Sequence, residues 1–129
     1  MSGPFTFVTT HTINDGKLAD YMRQHSEFVT FLETNEPRLL DFRAYMNEEQ
    51  TEVTFLFVFP DAEAADAYLQ AAREHIGRGV EITKTARLEV YGGTPGPLLQ
   101  QALVGNADMG VPVSVKPTHI GGFSRIPAR

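Results

Sequence analysis

Between residues 5 and 92 the apolar and polar positions switch between two periods. Phe5, Phe7, Thr9, His11 and Ile13 alternate with Thr6, Val8, Thr10 and Thr12, a two-residue period rich in strand formers that predicts a first strand. Asn14-Asp15-Gly16 ends it and offers a cap to the next element. From Lys17 to about Thr34 the apolar positions are Leu18, Tyr21, Met22, Phe28, Val29 and Leu32, with His25 in the same stripe, which predicts an amphipathic helix closed by Pro37. Leu39–Met46 and Val53–Phe59 read as two strands joined by a polar hairpin connection. The second of them is aromatic on one face, with Val53, Phe55, Phe57 and Phe59 in a row. Asp61 is placed to cap a second helix running to about Ile76, whose inward stripe is Ala65, Tyr68, Leu69, Ala72 and Ile76, with His75 at its margin and Gly77 and Gly79 as candidate C-caps. Val80–Tyr91 predicts the last strand, with Val80, Ile82, Lys84, Ala86, Leu88 and Val90 along one face. The order βαββαβ implies an α+β, ferredoxin-like antiparallel sheet with both helices on one side.

Helices on one side leave the other side of the sheet bare, yet Val8, Leu56 and Val58 fall there. Exposing several large apolar side chains costs on the order of 1.5–3 kcal/mol each relative to burying them. A second copy of the chain, sheet against sheet, is therefore expected as the cover, with the C-terminal segment as the alternative.

The pattern changes after Gly92. Residues 93–129 hold 11 of the 19 glycines and prolines, punctuation that argues against long regular elements. They also carry Leu98, Leu99, Leu103, Val111, Val113, Val115, Ile120 and Phe123, too many apolar side chains for a solvated linker. A short helix near Pro97–Val104 and an extended stretch near 111–115 are expected, docked on the domain or on its partner. Charge divides at the same point: residues 1–92 carry 8 Lys/Arg against 15 Asp/Glu, while residues 93–129 carry 3 against 1, within a chain of net charge −5. The organisation read from the sequence is a domain at 1–92 and an extension at 93–129.

Several classes of function drop out. The chain has no cysteine, so disulfide scaffolds, thiolate metal sites and cysteine nucleophiles are excluded. An acidic chain without the aromatic RNA-binding strand signature is not expected to bind nucleic acid. No stretch approaches a membrane span, and MSGPFTFVTT lacks the character of a signal peptide, so a cytoplasmic location without membrane partners is expected. No metal-ligand spacing, phosphate-binding glycine loop or nucleophile elbow is present. No metal and no cofactor are expected.

Histidines and their neighbours remain as candidate chemistry. Tyr21, His25 and Phe28 share a helix face turned toward the sheet, where His25 is either a packed, hydrogen-bonded histidine or a general base. Tyr68 and His75 share a face of the second helix, His75 close enough to the helix end to interact with its dipole. His11 sits in an apolar strand row and needs a partner or a ligand. Arg43, beside Asp41 and Tyr45, is either a clamp for an anionic substrate group or a surface ion pair. His119, in the tail, belongs either to a docking loop or to a lid. The candidate site thus takes His25 and His75 as catalytic groups and His11, Tyr21, Phe28, Arg43 and Tyr68 as substrate-binding groups.

The βαββαβ unit, with its Asp15-Gly16-Lys17 turn, the run Val53-Thr54-Phe55-Leu56-Phe57-Val58-Phe59, the helix entry Pro60-Asp61-Ala62-Glu63-Ala64 and the Ala67-Tyr68-Leu69…Glu74-His75-Ile76 helix, resembles the antibiotic biosynthesis monooxygenase family over residues 5–92. The resemblance implies a dimeric α/β barrel. It also implies a pocket between helices and sheet for a small aromatic or polyketide-like molecule, oxidised with dioxygen and no metal or flavin. Other members degrade haem, and of the residues used there only the helix histidine has a counterpart, His75. The chain has no tryptophan, the residue on which the best-understood oxygenases of that family rely. A cofactor-independent monooxygenase, a non-catalytic small-ligand-binding dimer and a haem-binding protein are the readings left open.

Overall fold

The computed structural model describes residues 4–125. At its centre is β1 (Phe5–Ile13), paired antiparallel with β3 (Glu52–Phe59) on one side and with β4 (Thr83–Tyr91) on the other; β2 (Asp41–Met46) pairs with β3 at one edge. A short fifth strand, β5 (Val113–Lys116), adds to β4 in parallel, giving the order β2-β3-β1-β4-β5. The fold is α+β, a mixed sheet with helices α1 (Leu18–Asn35), α2 (Ala62–Ala71), α3 (Arg73–Gly79) and α4 (Pro97–Asp108).

The register explains the core. Phe5, Phe7, Thr9 and His11 stand opposite Phe59, Phe57, Phe55 and Val53, and this row faces the helices. Phe57 is 1% exposed, with its ring centroid 4.8 Å from that of Tyr68 on α2 and 5.8 Å from that of Phe7. Leu32 of α1, Ala64, Ala65 and Tyr68 of α2, and Leu99 and Leu103 of α4 complete the same cluster. Val8, Leu56 and Val58 lie on the opposite, partly exposed face.

The structure departs from the local signals in several places. The expected second helix breaks at Ala72 (φ −92°, ψ 7°) into α2 and α3, and α3 runs through Gly77 to Gly79, so neither glycine is the left-handed cap expected of it. Asp61 does cap α2, accepting from the Ala64 amide at 2.8 Å. No side chain caps α1; Lys17 donates its amide to the Asn14 carbonyl, and Gly16 takes a φ of +76° in that turn. In β4 the pairing with β1 passes from Thr10–Arg87 to His11–Thr85, leaving Ala86 as the surplus residue of a bulge. Leu88 and Val90 face the helices as the alternation predicts, but beyond the bulge Thr83 and Thr85 take that side in place of the expected Ile82 and Lys84. Ile82 lies before the strand and packs with Tyr21 and Val53.

The extension holds more regular structure than its glycines and prolines suggest. α4 is 12 residues long, with Pro97 at its first turn where no amide partner is needed and with Gly105 inside it. The Asp66 carboxylate of α2 accepts the Leu98 and Leu99 amides, both at 3.0 Å, satisfying the free donors at the start of α4 and complementing its dipole. A side chain at Gly96 would collide with that carboxylate, 2.6 Å from the ideal Cβ. Residues 117–125 continue from β5 exposed to solvent, and Ile120 and Phe123 are 96% and 82% exposed.

Candidate functional site

Between the helix-facing rows of the sheet and the helices lies a cavity of about 730 Å³, within the range of small-molecule sites. Its floor is aromatic: Phe7, Phe55 and Phe57 from the sheet and Phe28 from α1. Phe28 lies edge-on to Phe42 and within 6.4 Å, ring to ring, of Phe55, Tyr68 and His75. The cavity wall brings together six of the seven residues singled out from the sequence: His11, Tyr21, His25, Phe28, Tyr68 and His75.

Arg43 is placed elsewhere. It pairs in register with Leu56 on the outer face of the sheet, exposed, with its Nε donating to the Asp41 carboxylate at 3.2 and 3.3 Å. This is the ion-pair reading of that residue, and Arg43 does not line the cavity. His119 belongs to the exposed segment after β5.

The three cavity histidines have distinct environments. His11 has a threonine hydroxyl at each ring nitrogen, Thr9 Oγ1 3.0 Å from Nε2 and Thr85 Oγ1 3.5 Å from Nδ1. Burial lowers its pKa to about 4, so it is a neutral imidazole at pH 7 with both nitrogens engaged. His75, half-buried against Phe31 with ring centroids 4.4 Å apart, lies 3.1 Å through Nδ1 from an Arg78 guanidinium nitrogen. Because guanidinium only donates, Nδ1 must accept, and the proton of the neutral ring sits on Nε2.

His25 is held differently. It stacks between Tyr21, one turn earlier on α1, and Phe55 of β3, with ring centroids 5.9 and 5.8 Å away. Its Nδ1 and the Tyr21 hydroxyl are the two buried side-chain polar atoms without a hydrogen-bond partner among the described residues. Burial lowers the His25 pKa below the usual histidine value and pushes those of the Tyr21 and Tyr68 phenols well above theirs; the Glu36 charge adds to the rise at Tyr68. At neutral pH the wall therefore presents a neutral imidazole beside an un-ionised phenol. A base and a hydrogen-bond donor one helical turn apart can take a proton and stabilise the oxygen that gains charge. Among the described residues no group of three or more His, Cys, Asp or Glu is placed to hold a metal ion, and no helix is long and apolar enough to cross a membrane.

Several cavity residues escape a reading of the sequence. Thr85 and Thr83 enter the wall through the bulge in β4. Arg78 does so because α3 continues past Gly77. Ala102 and Asn106 belong to the α4 stripe that begins with Leu99 and Leu103; that three- and four-residue spacing is present in the sequence, but the surrounding glycines and prolines mask it.

The sequence matches no protein-family model, and no curated protein is significantly similar to it. Solved structures are similar in fold. MupZ from Pseudomonas fluorescens superposes with a TM-score of 0.73 at 20% identity, over 97% of this chain and 91% of that one, so the likeness takes in the extension. A protein from Bacteroides thetaiotaomicron named "putative antibiotic biosynthesis monooxygenase" matches at 0.58 and 19% identity over 72% of this chain and 90% of its own. A mutant of SnoaB, a cofactor-independent oxygenase from Streptomyces nogalater, matches at 0.57 and 15% identity over 64% and 85%. The chain thus has the ferredoxin-like fold of antibiotic biosynthesis monooxygenase structures, with a helix and a fifth strand following its βαββαβ unit.

Proposed function

We propose that the cavity binds a small aromatic or polyketide-like molecule and that the protein oxidises it with dioxygen as a cofactor-independent monooxygenase. The observation that carries this reading is the pair of unpartnered buried polar atoms, the Tyr21 hydroxyl and His25 Nδ1, in the wall of an aromatic cavity. Leaving such groups unpaired costs about 1–3 kcal/mol each; both atoms are closed off by their own packing, and a turn of either side chain toward the oxygen of a ligand in the cavity would relieve that cost. The name of SnoaB, which shares the fold, supports the reaction class.

In this reading His25 takes the acidic proton of a substrate methylene held between two aryl rings and conjugated through them to a ketone, as in anthrone. The phenol of Tyr21 donates to the enolate oxygen. The enolate carbon passes one electron to dioxygen, the two radicals join in a C–O–O bond, and loss of water leaves a ketone, so that CH₂ and O₂ become C=O and H₂O. The aromatic walls keep bulk water from the intermediates. The roles of His25 and Tyr21 belong to this proposal, with Phe28 and Tyr68 as apolar walls, His11 as a fixed neutral neighbour and His75 as an Nε2–H donor. With anthrone as probe, an oxygen electrode is expected to record one O₂ consumed per ketone formed, above the rate without protein. Binding of anthrone with no added uptake would overturn the oxygenase and leave a ligand-binding protein.

The dimer belongs to the same proposal. α4 packs on the helix side and β5 on the sheet edge, so neither covers Val8, Leu56 and Val58. A second copy is the cover proposed, and light scattering is expected to give twice the 14.3 kDa of one chain. A monomer mass would refute it.

A further inference from the structure

We infer that the C-terminal extension, not the barrel, sets how long a molecule the cavity accepts, with Ala102 and Asn106 of α4 as the residues that select. The inference rests on the proposed reading only in that the cavity holds an organic ligand.

Positions 99, 102, 103 and 106 form one face of α4. Leu99 and Leu103, 0% and 3% exposed, anchor that face in the core, and Ala102 and Asn106 then line the cavity, followed by Met109 and Val111 beyond the helix. The wall is fixed at both ends. At its start, the Asp66 carboxylate holds two amides and Gly96 admits no side chain. At its end, the Asn106 carbonyl accepts the amides of Met109 and Val111, Gly110 turns with a φ of +88°, and the chain enters β5, locked to β4. A helix pinned in this way cannot retreat to admit a longer ligand, so the side chains on its inner face decide what fits.

Those side chains are suited to the task. Ala102 carries one methyl group, so room in the cavity depends on its smallness. The Asn106 Nδ2 donates to the Ala102 carbonyl at 2.8 Å, and since a carbonyl can only accept, the amide orientation is fixed and its oxygen is left to accept from a ligand hydroxyl.

The test compares a short and a long ligand, 2-naphthol and the linear four-ring 6,11-dihydroxytetracene-5,12-dione, by titration calorimetry. Both are expected to bind the unmodified protein. Ala102→Phe is expected to weaken the four-ring compound by at least about tenfold and to leave 2-naphthol within about twofold; Ala102→Leu, a smaller change checked by its melting temperature, is expected to do the same in lesser degree. Equal losses for both ligands, or no loss for either in both variants, would overturn the inference while leaving the cavity reading in place. Failure of both ligands to bind the unmodified protein would instead overturn the cavity reading and the inference with it.

Discussion

Replacing His25 with glutamine is expected to lower kcat for anthrone oxidation by about 10²–10⁴-fold, the range for loss of a positioned general base, while ligand affinity changes only a few-fold. Glutamine keeps much of the volume and a polar end between Tyr21 and Phe55 but cannot take up the proton. The pH profile separates a base from a merely packed ring. Burial lowers the His25 pKa, so its basic form persists to a pH below the ordinary value of about 6.5. The acid limb of kcat/KM is therefore expected below 6.5 and is expected to vanish in the glutamine variant. Unchanged turnover in that variant, or an acid limb above 6.5, would remove His25 from the reaction. Tyr21→Phe tests the partner, since it takes away the hydroxyl and leaves the ring that stacks on His25.

Stability is expected to fall by roughly 3 kcal/mol as the pH is lowered from about 6.5 to about 4, through His11 alone. In the unfolded chain the imidazole takes up a proton near pH 6.5. In the folded chain burial delays protonation to about pH 4. Between those values the unfolded state binds more protons, so stability rises with pH across the window; above 6.5 and below 4 this residue contributes no slope. The lowered pKa of His25 adds a slope of the same sign, so the comparison has to be made between variants. Urea unfolding at a series of pH values is expected to give a shallower dependence for His11→Gln than for the unmodified protein. Identical slopes would mean that the threonine hydroxyls at 3.0 and 3.5 Å accommodate the charged ring as readily as the neutral one.

Much of the fold can be read from residue spacing, because most of the elements obey a single local rule. β1, β3 and the face of α1 carrying Tyr21, His25 and Phe28 follow from periods of two and of 3.6, and the aromatic floor of the cavity follows with them. What spacing cannot supply is set by contacts across the chain. α4 depends on a carboxylate 32 residues before the amide it binds. The parallel pairing of β5 needs β4 as its template. Arg43 groups with Asp41 in the sequence, yet which side of the sheet that pair occupies is decided by the register with Leu56 on β3. The distinction among the three histidines lies in their partners: two hydroxyls for His11, a guanidinium for His75, and no partner at Nδ1 for His25.

The surplus residue at Ala86 acts as a phase shift. Downstream of it, Leu88 and Val90 keep step with the apolar row of β1; upstream, the strand is half a period out, and two threonines come round to the helix side where a lysine would otherwise stand. Within one strand, a greasy half that closes the core is joined to an uncharged polar half that meets His11, and composition averaged along the strand cannot show where the join lies. In a fully regular β4, Ala86 would stand opposite His11 and Lys84 opposite Ile13 on the helix side; with the bulge, the Thr85 hydroxyl meets His11 and the Lys84 side chain stays exposed, where its charge keeps its water.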